Sequence, residues 1–404
     1  MKFDFSTVMD RRGRDATAVD SVLANAPFGP GAPREGFDVI PMWVADMNFP
    51  TCPSILRAMR ERLEHPSFGY FSVREEYYDA VINWQRERNG ITDLSPQDIG
   101  YENGVLGGLA SVLRAFAVPG ENILVHSPTY IGFTSTIGNA GYRIVLSDLV
   151  RDADGVWRMD YEDMDRKIRE NRIHCAVFCS PHNPCGRVWE KWELEAALEV
   201  YRKNDCIVIS DEIWSDIILD GHRHIPLQSV NADAAQRVVG LYAPTKTFSL
   251  SGLVGSYHII KNPMIRDRVR ASALATHYNS VNLMSMYSLI GAYSGEGMEW
   301  TDELCAVLGG NVEYAYGHIK EKYAGIDLAK PEGTYMLYLD CTEWCEKNGR
   351  PVDDLLRAGW DVGVAWQDGR PFHGKNSIRV NLALPMSRVE EAFGRLDRYV
   401  FHCS

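Results

Sequence analysis

The chain has 404 residues, 45% of them hydrophobic and 24% charged, with 42 basic against 54 acidic side chains and a formal net charge of −12. That balance, with no stretch concentrating Lys and Arg, excludes a nucleic-acid-tracking surface, a disordered chain and a fibre. The length exceeds what one core organises, so at least two domains are expected.

The start, MKFDFSTVMDRRGRD, has no apolar run after its charges, and no later segment is long and apolar enough to cross a bilayer. A cytoplasmic protein with no membrane partner is the expectation. Nine cysteines lie scattered without the dense spacing of a disulfide framework or a metal-ligand register, so reduced thiols and no metal are expected.

Between roughly 95 and 290, short apolar runs alternate with amphipathic stretches, the pattern of βαβ units around a mostly parallel sheet. The runs are ENILVH (121–126), HCAVFCS (174–180), DCIVIS (205–210), RVVGLYA (237–243) and SYHIIK (256–261). The first four are followed by SPTY, SPHNPCG, DEIW and PTKT. Ligands bind at the carboxyl ends of strands in open α/β sheets, so these segments should converge on one crevice. After about 295 come the helix-like TDELCAVLGGNVEYAYGHIKEKYA, then GTYMLYLD, DDLLRAG and SIRVNLALP, which read as a smaller α+β domain. The boundaries expected are a large domain over 48–290 and a discontinuous small domain from 1–47 and 291–404.

Lys246 follows an apolar strand, where burial would lower its pKa and make the amine a nucleophile; alone, a surface lysine is the commoner reading. Asp211 ends the buried run CIVIS and needs a cation or several donors, unless it only caps the next helix. Asn183, in a turn with Pro181, Pro184 and Gly186, is a neutral donor or a plain Asx turn. Tyr130 offers a ring for stacking or belongs to the core. Gly104, Gly107 and Gly108 precede an amphipathic helix whose free N–H groups suit a phosphate, although the spacing matches neither a dinucleotide nor a P-loop fingerprint.

Taken in order, NGVLGGL, SPTY, SPHNPCGRVW, SDEIW and APTKTFSLSGL resemble the fold type I pyridoxal phosphate enzymes of the aspartate aminotransferase superfamily. Within it, PMWVADMNFP (41–50), FGYF (68–71), PEGTYMLYLD (331–340), QDGRPFHG and SIRVNLALP (367–385) are similar to the MalY/PatB group of cystathionine β-lyase-like carbon-sulfur lyases. The resemblance implies an α/β fold, with a mostly parallel sheet between helices in the large domain and a smaller α+β domain.

It further implies that Lys246 carries pyridoxal phosphate as a Schiff base, Asp211 pairs with the pyridine nitrogen, Asn183 binds the phenolic oxygen and Tyr130 stacks on the ring. The phosphate would lie on the amides of Gly104, Val105 and Leu106 with the Thr245 hydroxyl. Tyr70 would reach it from the neighbouring subunit of a homodimer. Arg379 would grip the carboxylate of an amino-acid substrate, beside Asn183.

Three positions depart from the pattern: Asn48 stands where the lyases carry Asp, Ala243 lacks a hydroxyl many relatives have, and Trp214 replaces Tyr or His. Trp366 is a candidate pocket residue or a core tryptophan. The reaction implied is β-elimination from cystathionine or a cysteine conjugate, giving a thiol, pyruvate and ammonia. An aminotransferase uses the same residues, and racemisation or a non-catalytic regulatory protein are more distant readings. The regulator is disfavoured because the short N-terminal arm leaves no room for a DNA-binding domain.

Overall fold

The computed structural model describes residues 1–276 and 280–403. Twelve strands form two sheets: β1 (Ile40–Met42), β2 (Ile99–Glu102), β3 (Asn122–Ser127), β4 (Arg143–Arg151), β5 (Trp157–Met159), β6 (Cys175–Cys179), β7 (Ile207–Asp211), β8 (Val238–Tyr242), β9 (Ser256–Ile259), β10 (Met336–Asp340), β11 (Val364–Asp368) and β12 (Ser377–Asn381). The larger sheet has the order β2-β9-β8-β7-β6-β3-β4-β5. Its centre, β8 to β4, is parallel, while β9 and β5 run against their neighbours.

The central strands read as continuous apolar runs because both faces are covered. Ile123, Val125, Val177, Ile209, Val239 and Leu241 pack into one core. Their alternates Leu124, Ala176, Phe178, Val208 and Val238 pack into another on the opposite face. All five apolar runs of the sequence are strands here. The sheet also takes in β2, β4 and β5, which the sequence pattern did not mark. In β4 (RIVLSDLVR) only Ser147 and Leu149 are buried, so a strand near the sheet edge lacks the apolar run of a central one.

The second sheet has the order β1-β11-β12-β10. Its edge strand comes from the N-terminal arm and runs parallel to β11, with Ile40 opposite Val364. The helix Gly295–Lys322, capped by the Ser294 hydroxyl accepting from the Gly297 N–H at 3.1 Å, lies against this sheet. Trp300, Leu304, Leu308, Val312, Ala315 and Ile319 form its buried stripe at helical spacing. From that stripe the Asn311 amide donates to the carbonyls of Leu382 and Leu384, both at 2.8 Å, and so fixes the chain just past β12. No described helix is long and apolar enough to cross a membrane.

Candidate active site

Four parallel strands end at one cavity of about 290 Å³, lined by Ala45, Asn103, Gly104, Val105, Leu106, Tyr130, Cys179, Asn183, Asp211, Ile213, Trp214, Thr245, Lys246 and Ser251. Eight residues expected from the sequence to hold the cofactor are thereby brought together: Gly104, Val105, Leu106, Tyr130, Asn183, Asp211, Thr245 and Lys246. Arg379, on β12 of the second sheet, reaches the same place through a bond from Nη1 to the Asn183 Oδ1 at 3.2 Å. Tyr70 does not line the cavity; its side chain is fully exposed.

Lys246 sits in the short helix Thr245–Phe248, four residues after Tyr242 ends β8. Its Nζ donates to the Ala45 carbonyl at 2.8 Å and lies 5.6 Å from the centre of the Trp214 ring. Burial, joined by the charge of Arg379, lowers the amine to about 8, so a useful fraction is the free base near neutral pH. Asp211, the last residue of β7, is 5% exposed, and its Oδ1 accepts the Ile213 N–H at 3.0 Å. Burial raises its carboxyl to about 7. A carboxylate so poorly compensated gains most from a cation placed against it.

A buried network holds the tips of β7 and β8 in register. The fully buried Glu212 accepts from the Ser210 hydroxyl and the Leu227 N–H (2.9 Å each) and from the Tyr242 hydroxyl (2.6 Å), and it pairs with His224 at 2.8 Å. Asp211 precedes it on one strand and Lys246 follows Tyr242 on the next, so the two reactive groups share one anchored frame. Asn183 is placed by the turn between His182 and Arg187, which bridge each other. Gly186 in that turn has φ +69°, and a Cβ there would meet Pro331 at 2.4 Å, so glycine is required.

Gly104, at φ +76°, caps the helix Val105–Phe116. The unbonded N–H groups of its first turn and the helix dipole face the cavity as an anion site. Arg379 is 3% exposed and lies over the Phe372 ring at 4.4 Å. Its Nη2 donates to the Trp43 carbonyl (2.8 Å) and to the Gln367 Oε1 (2.5 Å), all neutral partners. Among the described residues no carboxylate pairs with it, and its Nε has no partner. Burial accordingly lowers the guanidinium to about 10. An uncompensated buried cation with a spare donor is built to receive an anion.

These features fit pyridoxal phosphate: an amine for its aldehyde, a carboxylate for its ring nitrogen, an amide for its phenolic oxygen, an aromatic face, and a helix N-terminus with Thr245 for its phosphate. Sequence reasoning missed the carbonyls of Ala45 and Trp43 and the Gln367 amide. Backbone acceptors leave no signature in side-chain identity; the signals were the matches of the segments PMWVADMNFP, for Trp43 and Ala45, and QDGRPFHG, for Gln367. Trp366 belongs to the core, with its Nε1 donating to the Leu356 carbonyl at 3.1 Å. Asn48 stands off the cavity, accepting from Arg11 Nη1 at 2.9 Å. Ala243 is buried in the sheet core, whereas Trp214 does line the cavity.

The family model for aminotransferase class I and II matches residues 38–396. Cystathionine beta-lyase PatB of Bacillus subtilis is 30% identical over 362 residues, covering 89% of this chain and 92% of that protein. Protein MalY of Escherichia coli is 28% identical over 98% of both chains. Among solved structures, cystalysin from Treponema denticola, which contains pyridoxal 5'-phosphate, superposes with a TM-score of 0.89 at 28% identity over 98% of each chain. The pyridoxal phosphate-bound C-S lyase from Staphylococcus hominis gives 0.87 at 26% identity, again over 98% of each. With the family model spanning most of the sequence, and a relative at this identity over nearly its whole length, the chain belongs to the aminotransferase class I and II family.

Proposed function

We propose that this protein is a pyridoxal phosphate-dependent carbon-sulfur β-lyase, which breaks cystathionine or a cysteine conjugate into a thiol, pyruvate and ammonia. The observation that carries the reading is one cavity holding a lysine of lowered pKa and an undercompensated buried carboxylate, with a buried guanidinium beside it that has no anionic partner among the described residues. The names of the relatives, cystathionine β-lyase and C-S lyase, support elimination over amino transfer.

Lys246 holds the cofactor and Asp211 its ring nitrogen, with Asn183 on the phenolic oxygen and Tyr130 against the ring. Gly104, Val105, Leu106 and Thr245 take the phosphate. Bound there, pyridoxal phosphate supplies the electron sink that makes the α-proton of an amino acid removable. Arg379 fixes the substrate carboxylate with a planar fork, which presents Cα to Lys246. The Lys246 amine, released when the substrate's amine takes its place and shifted by burial toward the free base, takes the α-proton. All nine cysteines are unpaired, which supports a reducing, cytoplasmic setting. A division of the chain into 48–290 and a small domain from 1–47 and 291–404 accounts for the two sheets.

Elimination and amino transfer part after the same proton is removed, and each ~1.4 kcal/mol between their barriers changes the product ratio about tenfold. Given cystathionine and no oxo acid, the lyase releases homocysteine and pyruvate steadily. One stoichiometric burst that resumes only on adding an oxo acid would show an aminotransferase.

The protein acts as a homodimer in which Tyr70 completes the partner's phosphate site. The exposed aromatic run of Phe68, Tyr70 and Phe71 supports this, since a monomer has no use for it. Sedimentation at micromolar concentration should give a dimer, and Tyr70→Phe should weaken cofactor retention about tenfold, as for the loss of one hydrogen bond to a charged group. A fully active monomer would exclude it.

A further inference from the structure

Within the lyase reading, on which this inference rests, Arg379 and Lys246 account for the substrate's carboxylate and Cα. Nothing assigned so far meets the part of the molecule beyond sulfur. Two observations beside the cavity bear on it.

The first is Tyr335, in the turn leading into β10. Its hydroxyl is buried and has no hydrogen-bond partner among the described residues. Its ring stands edge-on to Trp214, which lines the cavity, with centroids 4.7 Å apart at 74°. A buried hydroxyl left without a partner is destabilising, a cost removed where a ligand completes the bond. The charged groups acting on it are Asp46, Arg379 and Arg11, and burial holds its pKa well above 10, so it remains a donor.

The second is the pair formed by Arg11 and Asp46. Asp46 follows Ala45, the residue whose carbonyl receives Lys246. Arg11 Nη2 meets Asp46 Oδ2 at 2.6 Å and Nη1 meets Oδ1 at 3.2 Å. Arg11 also bonds Asn48, and the Asp46 carbonyl accepts from Asn381, two residues beyond Arg379, at 2.7 Å. The two side chains are 15% and 16% exposed, sheltered yet open to solvent. A fixed pair of opposite charges and a partnerless donor therefore flank the groups that take the α-carboxylate.

We propose that Tyr335, Arg11 and Asp46 read the zwitterionic amino-acid end that lies beyond the sulfur of a thioether joining two amino acids. The distal carboxylate accepts from the Tyr335 hydroxyl and lies against Arg11, while the distal ammonium lies against Asp46. A zwitterion laid against an ion pair of opposite sense satisfies both charges without separating the pair. An S-alkyl tail leaves the hydroxyl unpaired, and a site with an unmet buried donor discriminates against such a ligand.

The test titrates the holoenzyme, and its Tyr335→Phe and Arg11→Gln variants, with cystathionine and with S-methylcysteine. Cofactor absorbance reports half-saturation whichever reaction follows. In each variant the ratio of half-saturating cystathionine to half-saturating S-methylcysteine should rise about tenfold, equivalent to about 1.4 kcal/mol. Tyr335→Phe should also melt no lower than wild type, because it removes an unsatisfied buried hydroxyl. An unaltered ratio overturns the proposal, as does a lower melting temperature with equal weakening of both ligands. If the ratio shifts but the wild type yields no pyruvate, the subsite stands and the lyase reading falls.

Discussion

Lys246→Ala lowers pyruvate release from cystathionine by about 10³-fold or more, because it removes both the amine that holds the cofactor and the base that takes the α-proton, a role worth about 10²–10⁴ on its own. The loss should persist with pyridoxal phosphate in excess, which separates missing chemistry from missing cofactor. The lysine's depressed pKa adds a signature in pH. Its amine titrates near 8 in the fold, against about 10.4 in an unfolded chain. The unfolded state therefore binds more protons between those values, and stability rises with pH across that window. Below about pH 8 the charged amine is a full burden on the fold. The apoprotein of Lys246→Ala should accordingly melt no lower than wild-type apoprotein at pH 7 and should lose the gain in stability above pH 8. Capture of added pyridoxal phosphate by wild-type apoprotein should quicken as pH rises toward 8 and then level. Residual turnover within tenfold of wild type, or a covalent adduct on another lysine, would remove Lys246 from its role.

Arg379→Lys raises KM for cystathionine by about 100-fold, corresponding to about 2.7 kcal/mol, while the visible absorbance of the bound cofactor stays as in wild type. A lysine supplies a point charge where the site offers a planar fork already braced by Asn183, Trp43 and Gln367. The shorter, unbraced ammonium cannot make two parallel bonds to a carboxylate. The apoprotein provides an independent check, because the guanidinium is buried and no carboxylate among the described residues pairs with it. Arg379→Met should melt higher than wild-type apoprotein, since apolar replacement of a poorly compensated buried ion commonly stabilises by about 1–4 kcal/mol. Saturating substrate should narrow or reverse that difference. Wild-type kinetics in Arg379→Lys would place the carboxylate grip elsewhere.

The strand-end residues were legible in the sequence because each one breaks a continuous apolar run. Asp211 ends, and Tyr130, Asn183 and Lys246 follow, strands buried on both faces, where the alternation that blurs half-buried strands is absent. The glycine before the helix at Val105 and the turn around Asn183 were legible for a similar reason, since their backbone demands restrict the residue type. Strands β2, β4 and β5 were not legible: they lie at or near the sheet edges, where partial exposure admits polar residues and dissolves the pattern.

The tertiary structure alone decided what each marked residue experiences. That Lys246 is lowered, Asp211 raised and Arg379 left without an anion depends on which groups from distant parts of the chain surround them, and a pKa is set by that surrounding field and burial. The carbonyls that Trp43 and Ala45 offer to Arg379 and Lys246 come into view only when segments hundreds of residues apart are packed together, and the bracing of Glu212 and the Tyr335 hydroxyl, without a partner among the described residues, likewise depend on packing. Local sequence specifies where a strand ends and which side chain stands there. Hydrogen-bond satisfaction and charge compensation are sums over neighbours in space, so only the packed chain determines them.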